Sequence, residues 1–168
     1  MPVVSYEGVL PRIDATAYVA DGAFVIGNVD IGREASIWFN VVLRGDINVV
    51  QIGTRTNIQD GSILHVTNRL PVRVGADVTV GHRAIVHGST VEDCSLIGMG
   101  SVILDNARVG PNALVAAGAV VLENFVVPEG MLAAGVPARI IRRLTEAERN
   151  SIRQSAQQYV KYAQGYRT

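Results

Sequence analysis

The sequence carries three histidines, His65, His82 and His87, and all three fall within a stretch of 23 residues. Neutral imidazole is a metal ligand. Three of them leave a divalent ion room for water, the ligand set of catalytic zinc. Such a site makes a nucleophile from water at neutral pH. A single His acting alone would instead serve as a general base. Polar residues with chemistry of their own lie just upstream: Arg44, Asp46, Asn57, Gln59 and Asp60. Whether these groups form one site depends on the elements that carry them.

Those elements are read from an internal repeat. Stepping by six from Ile13 gives Val19, Val25, Ile31, Ile37, Leu43 and Val49. The register breaks and resumes at Ile52, Ile58 and Leu64, then again at Val74, Val80 and Val86. One residue is dropped, and Val91, Ile97, Ile103, Val109, Val115, Val121, Val127 and Ala133 follow. Four places after the aliphatic the residue is usually small, as at Ala35, Ser62, Ala84, Ser95, Ser101 and Ala107. The pattern predicts one short strand and one corner per hexapeptide. Residues 13–139 then make about seven triangular coils stacked about 4.8 Å apart, like neighbouring strands. With 26 Val and 17 Gly, the composition agrees with strands and tight turns.

Coil arithmetic then places the chemistry. His65 follows Leu64 and His87 follows Val86, one full coil later, so the two should stack on one face. His82 sits two places after Val80, on the preceding face, and should not reach the others within one chain. Three prisms packed about a three-fold axis would bring the His82 edge of one chain to the His65/His87 face of the next. By the same count Arg44 lies one coil below His65, and Asp60, with Gln59 beside it, one coil below His82. Arg44 and Asp60 should therefore also meet across the interface, as a bidentate pair. Gln59 would point near the open position of the metal.

The chain ends differently. Gly135-Val136-Pro137 closes the repeat. Thr145-Glu146-Ala147-Glu148 is a capping box, and Ile152, Ala156, Tyr159, Val160 and Ala163 form an apolar stripe, predicting a helix over 145–164 that packs along the prism or over a neighbour. Residues 1–168 read as one domain. The formal net charge is zero, which argues against nucleic acid or an anionic membrane surface as partner. The single Cys, Cys94, calls for no oxidising compartment, and the expectation is a soluble cytoplasmic protein.

Arg44-Gly45-Asp46, Asn57-Ile58-Gln59-Asp60-Gly61-Ser62, His65, Gly81-His82 and His87-Gly88 together resemble the γ-class carbonic anhydrase family, over essentially the whole chain. The resemblance implies an all-β, left-handed parallel β-helix with a C-terminal helix, assembled as a homotrimer. It implies His65 and His87 from one chain and His82 from the next as ligands of Zn2+, or of Fe2+ or Co2+. Metal-bound hydroxide would attack CO2 to give bicarbonate. Arg44 and Asp60 would be the interface ion pair with Asp46 nearby, while Gln59 and Asn57 orient water and substrate. Tyr159, matching the family's terminal helix, would stand at the mouth of the site. The sequence departs from the archaeal prototype at its proton-moving glutamates: Ile47 occupies one position, and residues 66–73 contain no acid. It groups with the shorter family members. Two alternatives stay open: a metal-binding relative with little hydration activity, and a hexapeptide acyltransferase using an acyl-CoA donor and one His as base.

Overall fold

The computed structural model describes residues 3–167. The six-residue period becomes a parallel β-solenoid of about seven turns with one helix at its C-terminal end. Three inward columns fill it. Val25, Leu43, Leu64, Val86, Ile103 and Val121 are stacked and buried behind one face, and Ile37, Ile58, Val80, Ile97 and Val115 behind another. Ile31, Ile52, Val74, Val91, Val109 and Val127 form the third. Each such side chain contributes about 1.5–3 kcal/mol by leaving water. Because side chains alternate along a strand, the residue after each inward aliphatic points out. That rule places Arg44, His65 and His87 on one outer surface.

The corners have their own chemistry. Three places after the aliphatic the backbone turns left-handed, with φ near +55° to +66° at Cys94, Gly100, Asn106, Asn112 and Asn124. Asn and Gly tolerate that conformation best, which is why they recur there. The small residue that follows is packed against the interior, and Ser62 and Ser95 donate hydrogen bonds to Gly81 O (2.9 Å) and Gly110 O (2.8 Å).

Three expectations need correction. Val49 is not an inward repeat position: Val29 pairs with Val50, so the extra residues form a bulge over 46–49, and Val50 takes the core place. The parallel stack also begins earlier than residue 13, because Val3–Val4 pairs with Val25 and Ile26. At the other end the parallel stack stops short of residue 139, because Arg139–Arg143 returns antiparallel along Met131–Ala134 as a closing strand.

The terminal helix is Glu146–Gly165, within a residue of expectation, and the capping box at Thr145 and Glu148 is formed. It lies against the face built from Ser36–Ile37, Asn57–Ile58 and Thr79–Val80. Hydrogen bonds from Arg142 and from the backbone and side chain of Thr145 lower the Glu148 carboxyl to about 2. A depressed acid supports the fold above its unfolded value and loses that support as pH falls through the folded one. Helix content read by far-UV circular dichroism should therefore fall between pH 4.5 and about 2. Glu148→Ala should remove that step.

Candidate metal centre

The strands Ile63–His65 and Ile85–His87 are neighbours in exact parallel register, with His65 opposite His87 and Arg44 opposite His65. The coil count is borne out at this point. His65 Nδ1 and His87 Nε2 face one another at 3.1 Å. The outer nitrogen of each ring is committed. His65 Nε2 donates to Asp46 Oδ1 at 3.1 Å, and His87 Nδ1 donates to Asp105 Oδ1. Ionised carboxylates only accept, so each ring carries its proton on the outer side. Two lone pairs then face each other across the gap, an arrangement that suits a shared cation, whether a proton or a metal ion. Two nitrogens on a tetrahedral zinc, each about 2.0–2.1 Å away, lie about 3.3 Å apart, which this spacing fits. Burial, outweighing the hydrogen bond to Asp46, pushes the His65 pKa down and favours the neutral ring, the form that binds metal.

Asp46 belongs to the bulge over 46–49. Burial raises its carboxyl, but the hydrogen bonds from Arg44 and His65, with the charge of Arg44, outweigh this and hold it below the usual carboxylate range. Arg44 Nη1 pairs with Asp46 Oδ2. The bulge is stapled to the next coil, since Asn48 Nδ2 donates to Thr67 O at 3.1 Å. Both insertions of the repeat therefore stack at one corner and wall the histidine face on that side.

His82 stands apart, on the turn after Thr79–Val80. Its Nδ1 meets Asp60 Oδ2 at 2.7 Å. Asp60 is thus one rung from His82 as counted, but within the chain it engages His82, and Arg44 engages Asp46. Among the described residues of one chain, no three His, Cys, Asp or Glu side chains converge to hold a metal. Asn57 and Gln59 are buried and locked together: Gln59 Nε2 donates to Asn57 Oδ1 at 3.0 Å, and Asn57 Nδ2 donates to Thr79 Oγ1 at 3.0 Å.

Tyr159 shares an open cleft of about 430 Å³ with Asp60, Trp38, Phe39, Tyr162 and Tyr166. Its ring packs edge-on against Trp38 at 5.4 Å. Burial, with the charge of Asp60, raises its phenol above the ordinary value. Trp38 is the centre of this aromatic group. Asp105 is the residue that sequence reasoning passed over. It sits on a turn, outside the outward-facing strand positions that the repeat makes countable.

Comparison with known proteins follows the same lines. The bacterial transferase hexapeptide (six repeats) family matches residues 88–123. The mitochondrial γ carbonic anhydrase 2 of Arabidopsis thaliana is 45% identical over 160 residues, covering 92% of this chain and 58% of that one. A carbonic anhydrase of Geobacillus kaustophilus is 43% identical over 165 residues, covering 98% of this chain and 91% of its own. The chain belongs to the γ carbonic anhydrase family. It spans less than three fifths of the Arabidopsis relative. A solved hexapeptide transferase family protein from Anaplasma phagocytophilum superposes with a TM-score of 0.95 at 39% identity, over 98% of both chains. The γ carbonic anhydrase family thus accounts for the repeat and the closing helix together. No helix among the described residues is long and apolar enough to cross a membrane.

Proposed function

We propose that this protein reversibly hydrates CO2 to bicarbonate at a divalent-metal site shared between subunits of a homotrimer. His65 and His87 of one subunit and His82 of the next are the assigned ligands. One observation carries the reading: two imidazole lone pairs face each other at 3.1 Å, each ring backed by a carboxylate. Zn2+ is the assigned metal, and the same nitrogen donors accept Fe2+ and Co2+. When bound, the metal supplies Lewis acidity that brings water to hydroxide near neutral pH.

The chain's own residues do the rest. Asp46 and Asp60 hold the rings of His65 and His82. Gln59 has its amide nitrogen committed to Asn57. Its carbonyl oxygen is left to accept a hydrogen bond from the attacking oxygen and so turn a lone pair toward the carbon of CO2. Arg44, steadied by Asp46, is assigned to Asp60 of the neighbouring subunit. Tyr159 is assigned to the mouth of the site beside Asp60. The assembly is supported by an apolar row: Phe24, Val42, Ile63 and Ile85 occupy successive rungs of the histidine face, and all but the half-buried Val42 are about two-fifths exposed. Apolar side chains aligned beside the ligand residues suit burial against another subunit.

The acyl-CoA transferase reading has a structural relative named for transfer. It needs one His as base, whereas a facing pair of lone pairs serves a cation. Elemental analysis of protein purified without chelator should find about one metal per chain. Chelation should abolish CO2 hydration measured by stopped flow, and Zn2+ or Fe2+ should restore it. A protein that takes up no Zn2+, Fe2+ or Co2+ would falsify the proposal. Acyl transfer surviving chelation would favour the transferase.

A further inference from the structure

We infer that Asp105 is the positioning residue that sets the tautomer and aim of His87, and that Gly88 and the shortened repeat before Val91 serve to admit it. The inference rests on the metal reading above and names a determinant of that site.

Asp105 lies on the turn after Val102–Ile103, the strand paired with Ile85–His87. Its Oδ1 accepts from His87 Nδ1, which leaves His87 Nε2 as the lone pair facing His65. Asp46 and Asp60 do the same for His65 and His82. Asp105 completes the set, so every assigned ligand ring carries a carboxylate on its far side. Such partners fix ring orientation and raise the basicity of the ligating nitrogen.

The local backbone shows why the carboxylate can reach. Successive inward aliphatics are normally six apart, but Val86 and Val91 are five apart, so this corner is one residue short. Gly88 occupies the tightened corner at φ +48°. A Cβ there would lie 2.9 Å from Asp105 Oδ1 and 3.2 Å from Leu70 Cβ. Nor can the corner slide away. Gly88 N donates to His65 O at 3.0 Å, and Gly88 O accepts from Asn106 N at 2.8 Å. The missing residue and the missing side chain both clear the space that Asp105 occupies. A corner built only for chain reversal could keep all six residues and carry Asn at its left-handed position, as Asn106 and Asn112 do.

The test is Co2+ affinity of the full-length protein, measured by competition with a chelator and by the Co2+ visible spectrum. Asp105→Ala and Gly88→Ala should each weaken binding about 10–100-fold, and Asp105→Asn, whose amide oxygen still accepts, should recover part of the loss. The thermal midpoint of the metal-free Asp105 variants should match that of metal-free wild type. Affinity of Asp105→Ala within about twofold of wild type would overturn the inference while leaving the three-His site intact. So would an equal loss of stability in the metal-free variant, since that marks a packing role. Failure of the wild-type protein to bind Co2+ would be a different result, removing the metal reading itself.

Discussion

A one-to-one mixture of His82→Ala and His65→Ala chains, unfolded and refolded together, should regain about a quarter of the wild-type metal and CO2 hydration, although each variant alone retains neither. The fraction follows from cyclic assembly. An intact site needs His65 and His87 from a His82→Ala chain and His82 from a His65→Ala neighbour, and random assembly meets each condition half the time. The physical basis is the packed interior. His82 follows Val80 on one face, while His65 and His87 follow Leu64 and Val86 on another. Val80, Leu64 and Val86 are wholly buried between those faces, so no change of rotamer carries His82 across. A shared site predicts recovery on mixing. A site confined to one chain predicts none, because every chain in the mixture lacks a ligand. Full metal retention by His82→Ala alone would reduce the centre to the two facing rings.

How much of this was readable beforehand follows from what a period can encode. Once six residues make a strand and a corner, any residue one place after an inward aliphatic is assigned a face and a rung. His65 opposite His87, and Arg44 opposite His65, follow from counting. The count fails where chain is inserted. Val49 keeps the six-residue spacing from Leu43, yet the bulge over 46–49 hands its place to Val50. The signal was a hydrophobic pair, Val49-Val50, in which spacing alone could not choose. Asp105 was missed for another reason. Its role arises between turns, where side-chain reach and not strand register decides contact. The dropped residue before Val91 was visible but had no meaning until the carboxylate was seen filling the gap. The left-handed corner residues went unread, although Asn106, Asn112 and Asn124 recur at the third place after an aliphatic, a turn signature independent of the hydrophobic one. The antiparallel return of Arg139–Arg143 left no periodic trace, because it is a single strand without a repeat.

Two glycine substitutions should separate the forces that hold the coils in place. Gly53→Ala should cost about 3 kcal/mol or more, at or beyond the upper end for overpacking, while Gly118→Asn should stay within about 0.5 kcal/mol of wild type. At Gly53 an added Cβ would meet Gly75 C and O at 2.4 Å and Ala76 N at 2.6 Å. All three are backbone atoms of the next coil, so no side chain can swing aside and the coils themselves must part. That opposes the hydrogen bond from Gly53 N to Val74 O, 2.8 Å long. At Gly118 a Cβ meets nothing within 4 Å, and the only demand is φ +68°. Asn satisfies the same demand at Asn106, Asn112 and Asn124, with φ between +54° and +61°. Urea midpoints at a common slope would give both values. The metal centre adds a second reading. Gly53 separates the coil of Arg44 from the coil of His65, whereas the facing imidazoles lie on the next pair of coils. Gly53→Ala should therefore lose more stability than metal affinity. If it proved as mild as Gly118→Asn, the coils would possess slack of several tenths of an ångström. The 3.1 Å spacing of His65 and His87 would then owe less to the solenoid than to Asp46 and Asp105 holding the rings from behind.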